Sequence, residues 1–600
     1  MTPQKRKKRS SSDIRLNLVF IGFLVFFTFV LVRLFQVQVM GHDKYSALAQ
    51  EQYWDLRVIP AKRGDILSSD GHVLAGTQVY YLMYAEPQKV IDHHKLANDL
   101  ANLLADIRFE IDPEDGDPVS SKSQMALEFF ENMYNQLSLE LLWVPLQRQL
   151  TPIEKEKIEY LKFEGIGFEE EPIRYYPEDT LAAHVLGFVA SNEGGEKTGY
   201  FGIEGSLNED LKGKPGRITE ETDALGTPIL IGGYKKIPPV EGRDAVLTID
   251  RSVQYMVEKK IKEGVEHYGA ASGSVIVMNP STGEIIAMAN YPTYSPGKYY
   301  IEEEPLEEFP HRKNYEKINL AISQVYEPGS VMKPVTISAA INLGIVTPET
   351  TFEDNGPVWY SDYQIDNWDG KHHGTQTIIE LLQKSNNIGA AWVGHQVGRD
   401  SLYTYFKNFG LGSKTSIDLE GEDAGILRDV DEWTDIDLAT AAFGQGVSTT
   451  PLQLLNVFNV IANGGYLLEP RVIDRIISSD WETDIPTKNV RRVISKETAD
   501  TMVDLLEKAA EGGEAKYFML NNYRVAGKTG TAQIPEGGKY SPNRTNATFV
   551  GFLAGSKEFS MIVKLEEPQE SVYAAETAAP LWMDIAKELV KFYGLVPDKG

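Results

Sequence analysis

The chain has no cysteine. That excludes a disulfide scaffold, a thiol nucleophile and cysteine-ligated zinc or iron–sulfur centres. It leaves the compartment open, because exported proteins can do without disulfides. Positive charge is in short supply. Against 86 Asp and Glu stand 59 Lys and Arg, a formal charge of −27. The deficit is uneven: residues 1–15 carry +5, which leaves −32 on the rest. An acidic body argues against nucleic acid as a partner, since no broad basic face can form. Long hydrophobic runs are also lacking, with one exception near the N-terminus. Histidine is sparse, and the adjacent pair His372-His373 lies in a glycine-flanked stretch that reads as an exposed loop. Nothing in the pattern calls for a metal or another cofactor.

The exception among the apolar runs is Leu16 to Val32, seventeen residues without a charge between Arg15 and Arg33. As a helix it spans roughly 25 Å, slightly short of a ~30 Å hydrocarbon core. Snorkelling arginines and the apolar continuation toward Val39 close the gap. The basic cluster Lys5 to Arg9 precedes it, so the positive-inside rule places the N-terminus in the cytoplasm and the body outside. A cleaved signal peptide is the rival. Ala47-Leu48-Ala49 resembles a cleavage site, but charged residues separate it from an h-region that is too long. The expectation is a basic tail over 1–15 and an uncleaved single-pass anchor in the cytoplasmic membrane over 16–39.

With 600 residues, two or more domains should follow the anchor. Residues 40–60 read as a helical stalk. Ile66-Leu67, the Asp70-Gly71 turn and Val73 to Ala75 read as a short hairpin. Residues 88–165 are mostly helical in pattern, broken by the acidic run Asp112 to Pro118, which reads as an exposed loop. No nucleophile constellation is visible before residue 240, so 40–240 reads as a pedestal. From 241 the texture changes. Ala245 to Ile249 is a strand, and Asp250 can cap the helix after it. Ser274 to Met278 and Glu284 to Ala289 flank turn residues and read as a hairpin. Residues 315–510 are largely helical. Strands return at Val525 to Gln533, Ala547 to Leu553 and Ser560 to Leu565, before a final helix over Ala574 to Phe592. Strands at both ends with helices between them predict an α+β domain: an antiparallel sheet built from distant segments, with helices packed against it.

Three short motifs lie on this frame. Ser330-Val331-Met332-Lys333 follows a Pro328-Gly329 turn. If a helix starts near Ser330, positions i and i+3 share a face and the amine reaches the hydroxyl. A serine needs such a base, and a lysine serves as one when burial or nearby positive charge lowers its pKa. Alone, the spacing fits a capping serine and a surface lysine, and that is the commoner case. Ser385-Asn386-Asn387 comes next along the chain, where a hydroxyl can pass a proton and an amide can position a substrate. Lys528-Thr529-Gly530-Thr531 follows near the end, in a strand whose glycine admits another backbone. Such a strand suits an extended peptide bound by edge pairing.

In this order the motifs S-x-x-K, S-x-N and K-T-G resemble those of penicillin-binding proteins and class A β-lactamases. Arg63-Gly64-Asp65, Arg174-Tyr175-Tyr176-Pro177, Gly202-Ile203-Glu204-Gly205, Tyr326 to Ser330 and Phe443 to Gly446 resemble class B penicillin-binding proteins, which are membrane-anchored D,D-transpeptidases of peptidoglycan. Gly187-Phe188-Val189, and Gly444-Gln445-Gly446 followed by Thr450-Pro451, resemble the division-type FtsI branch more than the elongation branch.

The resemblance implies that Ser330 attacks the penultimate D-alanine carbonyl of a stem peptide while Lys333 takes its proton. Ser385 relays a proton to the leaving D-alanine, and Asn387 holds Lys333 and the substrate amide. Lys528 completes the network. Thr529 and Thr531, flanking Gly530, bind the terminal carboxylate, and the Ser330 and Thr531 amides form the oxyanion hole. β-Lactams would acylate Ser330. A SEDS-type glycosyltransferase is the implied membrane partner, because residues 40–240 resemble a pedestal and not a polymerising domain.

A β-lactamase would need a deacylating base. No E-x-x-L-N string lies between Asn387 and Lys528, and Glu422 sits in unrelated surroundings. A β-lactam sensor would show several membrane segments. A catalytically quiet cell-wall scaffold is disfavoured by the complete set of motif residues.

Overall fold

The structure is a computed structural model that describes residues 11–45, 54–111, 118–221, 234–300 and 315–599. The chain forms two compact units, residues 1–61 with 214–240 and residues 62–213 with 241–600.

In the first unit, an α-helix over Ser11–Phe35 runs into a π-helical turn over Gln36–Met40. Arg15–Met40 is long and apolar enough to cross a membrane, and none of its most apolar window is buried against protein. This unit also holds a three-stranded antiparallel sheet of Trp54–Ile59, Gly216–Glu221 and Tyr234–Ile237. The helical reading of residues 40–60 therefore fails from Trp54 to Ile59. Val58 and Ile59 suit a pleated surface, and Gly216–Glu221 supplies the ladder that a lone segment lacks.

In the second unit, Ile66–Leu67 and Val73–Ala85 pair as the expected hairpin. The long second strand also pairs with Val144–Leu150 and Ile166–Tyr175. Asp244–Leu247, Ile473–Ile477 and Glu482–Asp484 extend this to a seven-stranded sheet. Helices His93–Ile111 and Pro118–Leu137 pack Leu96, Leu100, Leu104, Met133 and Leu137 against Val144 and Leu150. Most of the acidic run, residues 112–117, lies outside the described residues, and Pro118 begins the second of these helices.

The C-terminal part is built on five strands: β1 (Ser272–Met278), β2 (Ile285–Tyr291), β3 (Val525–Glu536), β4 (Lys539–Leu553) and β5 (Ser560–Glu566). They form one antiparallel sheet in the order β2-β1-β5-β4-β3, so segments from the two ends of the domain share a ladder and β3 is an edge. Side-chain alternation assigns the two faces. Val275, Val277, Phe549, Met561 and Val563 face a core completed by α1 (Arg251–Tyr268) and the C-terminal helix Ala578–Phe592, with Trp582 fully buried. Ile276, Met278, Val550, Phe552 and Ile562 face the larger core of the central helices. Both faces are covered, which explains why these strands read as continuous apolar runs. Asp250 caps α1 as expected, accepting from the Val253 amide at 3.0 Å. The central helices that matter for the site are α2 (Lys333–Asn342), α3 (Asn387–Val397) and α4 (Lys496–Gly512).

Candidate active site

Ser330 does not begin an α-helix. It lies in a 3-10 turn over Gly329–Met332, and α2 starts at Lys333 with Pro334 in its first turn, where no amide partner is lost. In a 3-10 turn residues i and i+3 eclipse. This tighter turn sets Lys333 Nζ 2.9 Å from Ser330 Oγ. Gly329 enters it at φ +58° and donates its amide to the Gly444 carbonyl at 3.0 Å. Across the cleft, a Cβ at position 530 would fall 2.4 Å from Val331 Cγ2 and 2.9 Å from the Pro328 carbonyl oxygen. Gly530 is thus what lets the serine turn lie against β3.

Ser385 sits between two helices. Ile378–Lys384 opens with a Thr377/Glu380 capping box and ends with Ser385 in the left-handed region, φ +55°. Glycine ordinarily fills that place, and a side chain there costs about 1 kcal/mol. The strain accompanies a hydroxyl with three neighbours in the cleft. Ser385 Oγ donates to Ser330 Oγ at 2.8 Å, and receives from Lys528 Nζ at 3.0 Å and Lys333 Nζ at 3.2 Å. Asn386 turns away and caps α3 through the Gly389 amide at 2.7 Å. Asn387 Oδ1 accepts from Lys333 at 2.9 Å.

Lys333 is fully buried and Lys528 nearly so. Burial is the larger cause that drives the Lys333 ammonium well below the usual lysine range, and the positive charge of Lys528 adds to it. Burial lowers Lys528 as well, while Glu514 pulls both lysines back up. An amine whose charged form is disfavoured, 2.9 Å from a serine hydroxyl, stands within the reach that a general base requires. Thr529 Oγ1 receives from Lys528 at 3.2 Å and donates to Glu514 Oε2 at 2.7 Å. Thr531 Oγ1 accepts from the Ala574 amide at 3.0 Å. The structure therefore gathers Ser330, Lys333, Ser385, Asn387, Lys528 and Thr529 into one hydrogen-bonded group, with Gly530 and Thr531 beside it on the edge strand.

The sequence reading missed two carboxylates here. Glu514 follows α4 in a turn and carries no motif. Asp354 is wholly buried behind the Ser-Asn-Asn segment. It accepts from Asn386 Nδ2 at 2.7 Å, Gln376 Nε2 at 3.0 Å, and Asn367 Nδ2 and the His373 amide at 3.1 Å each. His372 Nδ1 lies 3.1 Å from its other oxygen. Burial alone would raise Asp354, but these donors outweigh it and hold the carboxyl below its ordinary range. Asn367 in turn accepts the Asn387 amide at 3.0 Å. The histidine pair thus belongs to this brace. Among the described residues no cluster of three or more His, Asp or Glu is placed to hold a metal. Glu422 is fastened within its own loop, accepting from the Thr415 amide at 2.6 Å and the Ser416 amide at 3.2 Å.

This grouping, at the open edge of a sheet covered by helices on both faces, is that of the active-serine, penicillin-recognising proteins. The family described as "Penicillin binding protein transpeptidase domain" matches residues 273–590, and "Penicillin-binding Protein dimerisation domain" matches 58–247. The chain is 29% identical to Stage V sporulation protein D of Bacillus subtilis, over 98% of this chain and 88% of that one. It is 31% identical to the peptidoglycan D,D-transpeptidase FtsI of Buchnera aphidicola subsp. Baizongia pistaciae, over 76% of each. Penicillin Binding Protein 2X from Streptococcus thermophilus superposes with a TM-score of 0.74 at 25% identity, over 90% of this chain and 81% of that one. The chain belongs to the penicillin-binding protein transpeptidases, and within them to class B.

Proposed function

We propose that this enzyme cross-links peptidoglycan stem peptides by D,D-transpeptidation through an acyl-enzyme on Ser330. The observation that carries the reading is the buried, depressed lysine: Lys333 Nζ stands 2.9 Å from Ser330 Oγ with Ser385 on its other side. In the first half-reaction Ser330 Oγ bonds to the penultimate D-alanine carbonyl carbon, and its proton passes to Lys333. The peptide C–N bond then breaks. Ser385, bridging Lys333 and Lys528, passes a proton to the departing D-alanine amine. In the second half an amine of a neighbouring stem attacks the ester, and Ser330 recovers its proton. Asn387 orients Lys333 and the substrate amide. Thr529 and Thr531 take the terminal carboxylate beside Lys528. The Ser330 and Thr531 amides receive the oxyanion, one such donor contributing ~3 kcal/mol. β-Lactams acylate the same serine, in keeping with the family's penicillin binding.

The wider reading follows the class. Residues 1–15 lie in the cytoplasm, the helix over 16–39 anchors the chain once, and 40–240 form the dimerisation-type pedestal. The transpeptidase domain, 241–600, works outside the membrane beside a SEDS-type glycosyltransferase. Similarity to FtsI supports a role in septal synthesis. A second reading, wall synthesis during sporulation, is favoured by the near full-length similarity to Stage V sporulation protein D. Depletion in the native host separates them, since filaments of undivided cells accompany the first and defective spores alone the second.

The test of the chemistry is the intact mass of the full-length, detergent-solubilised chain after incubation with a β-lactam. A stable adduct on the parent and none on S330A is the expected result. An adduct on both moves the nucleophile elsewhere, and an adduct that vanishes within seconds makes the protein a hydrolase.

A further inference from the structure

The two threonines of the edge strand are not equivalent. A hydroxyl has one proton to give. Thr531 Oγ1 accepts from the Ala574 amide, so its proton remains available. Thr529 has committed its proton to Glu514 Oε2 at 2.7 Å. Glu514 follows the C-terminal end of α4, preceded by Gly512 and Gly513, and its charge acts on both Lys333 and Lys528. A carboxylate of the chain itself thus engages the hydroxyl, and faces the cation, that a substrate's terminal carboxylate needs.

We propose that Glu514 is a resident competitor for the terminal-carboxylate subsite and so a specificity-determining residue of the transpeptidation. The inference rests on the reading of Ser330, Lys528 and the two threonines given above. In the free enzyme Glu514 occupies the Thr529 hydroxyl. A donor stem that ends in a carboxylate must take that hydrogen bond over, and it does so against a like charge. A donor whose terminus is uncharged meets no such opposition. The same charge keeps protons on the lysines. The groups that face them are Glu514 and the other lysine, so removing Glu514 leaves Lys333 neutral at lower pH.

The experiment compares acylation of the full-length protein by benzylpenicillin and by its uncharged methyl ester, in the parent and in E514Q. Glutamine keeps an acceptor for Thr529 and removes the charge. The expected result is a rise of about tenfold for the acid and less than about twofold for the ester. The acidic limb of the pH profile should move to lower pH. If E514Q does not fold, E514D draws the charge back by one methylene and should give a smaller rise of the same kind. Equal changes for acid and ester would make Glu514 merely structural and overturn the proposal. So would an unchanged acid-to-ester ratio with a longer-lived adduct, which would assign Glu514 to deacylation. An absence of adduct in every protein, the parent included, would instead sink the reading of Ser330.

Discussion

Arg63 and Arg174 lie side by side near the start of the second unit, and Lys333 and Lys528 lie side by side in the cleft. The lysines are buried, and the arginine side chains are mostly so, with 10% and 5% exposed. The arginines share one carboxylate, Glu204, each through a 2.5 Å hydrogen bond, and Glu204 has no exposed side-chain surface. Arg63 Nη1 also reaches Asn208 at 3.1 Å, and Arg174 Nη1 reaches the Gly64 carbonyl at 2.7 Å. Burial lowers Arg63 from the usual arginine range, yet a guanidinium keeps its proton at neutral pH. The lysines hydrogen-bond hydroxyls, carbonyls and an amide, and among the described residues neither stands in an ion pair. A lysine can shed its charge, and burial beside a second cation shifts Lys333 toward the neutral amine. The same physical insult meets a fastening in one place and, on the proposed reading, a base in the other. What differs is whether the cation can lose its proton and whether a carboxylate is in contact.

The comparison breaks most visibly at Lys333. Lys333→Met keeps the stem and removes the amine, and β-lactam acylation should fall about a thousandfold with the melting temperature shifted by a few degrees. In the parent, the acylation rate should climb with pH to a midpoint well below the usual lysine value of 10.5, because it follows the neutral amine. Lys528→Met should move that midpoint up, since the neighbouring charge that depresses Lys333 is gone. A rate flat with pH would mean that Lys333 is not the base.

Glu204→Gln tests the other member. Two mostly buried guanidiniums would lose their counter-charge, for a loss of about 3 kcal/mol in thermal or denaturant unfolding. The protein that remains folded should acylate at the parent rate. A normal melting temperature would reduce the knot to an ornament.

Asp354 sharpens the contrast, because it is a buried acid held charged by hydrogen bonds. Asp354→Asn should cost about 2 kcal/mol and slow acylation by less than about tenfold, through looser placement of Asn386 and Asn387. The carboxyl is depressed in the folded state. Its contribution is therefore present above the ordinary carboxylate range and is lost as pH falls through the folded value. Parent and variant should converge in stability in acid.

The smallest effect on acylation is expected at Glu258 on α1, a partly buried acid with two donors, the Ala182 amide at 2.7 Å and Gln254 Nε2 at 2.8 Å. Burial pushes it up to about 7. The folded state then holds a proton that the unfolded chain releases between about 4.5 and 7, so this group lowers stability as pH rises through that window. Glu258→Gln should be more stable than the parent at pH 8 by about 3 kcal/mol, and equal to it near pH 4.

Much of this was written locally. The anchor helix, the strands around Ser274, Glu284, Val525, Ala547 and Ser560, the Asp250 cap and the three motifs are patterns of a few adjacent residues. Periodicity and turn chemistry act over that range. Tertiary structure alone decided the rest. Trp54–Ile59 became a strand because Gly216–Glu221, far along the chain, offered its ladder. The serine turn became 3-10 where it closes against Gly530 and Gly444. Ser330, Ser385, Glu514 and Lys528 met across gaps that no spacing encodes, and Asp354 found its donors behind them. Desolvation and Coulomb forces depend on distance through space. The sequence could therefore name Lys333 as a candidate base, and only its burial beside Lys528 lowers its pKa toward what that role needs.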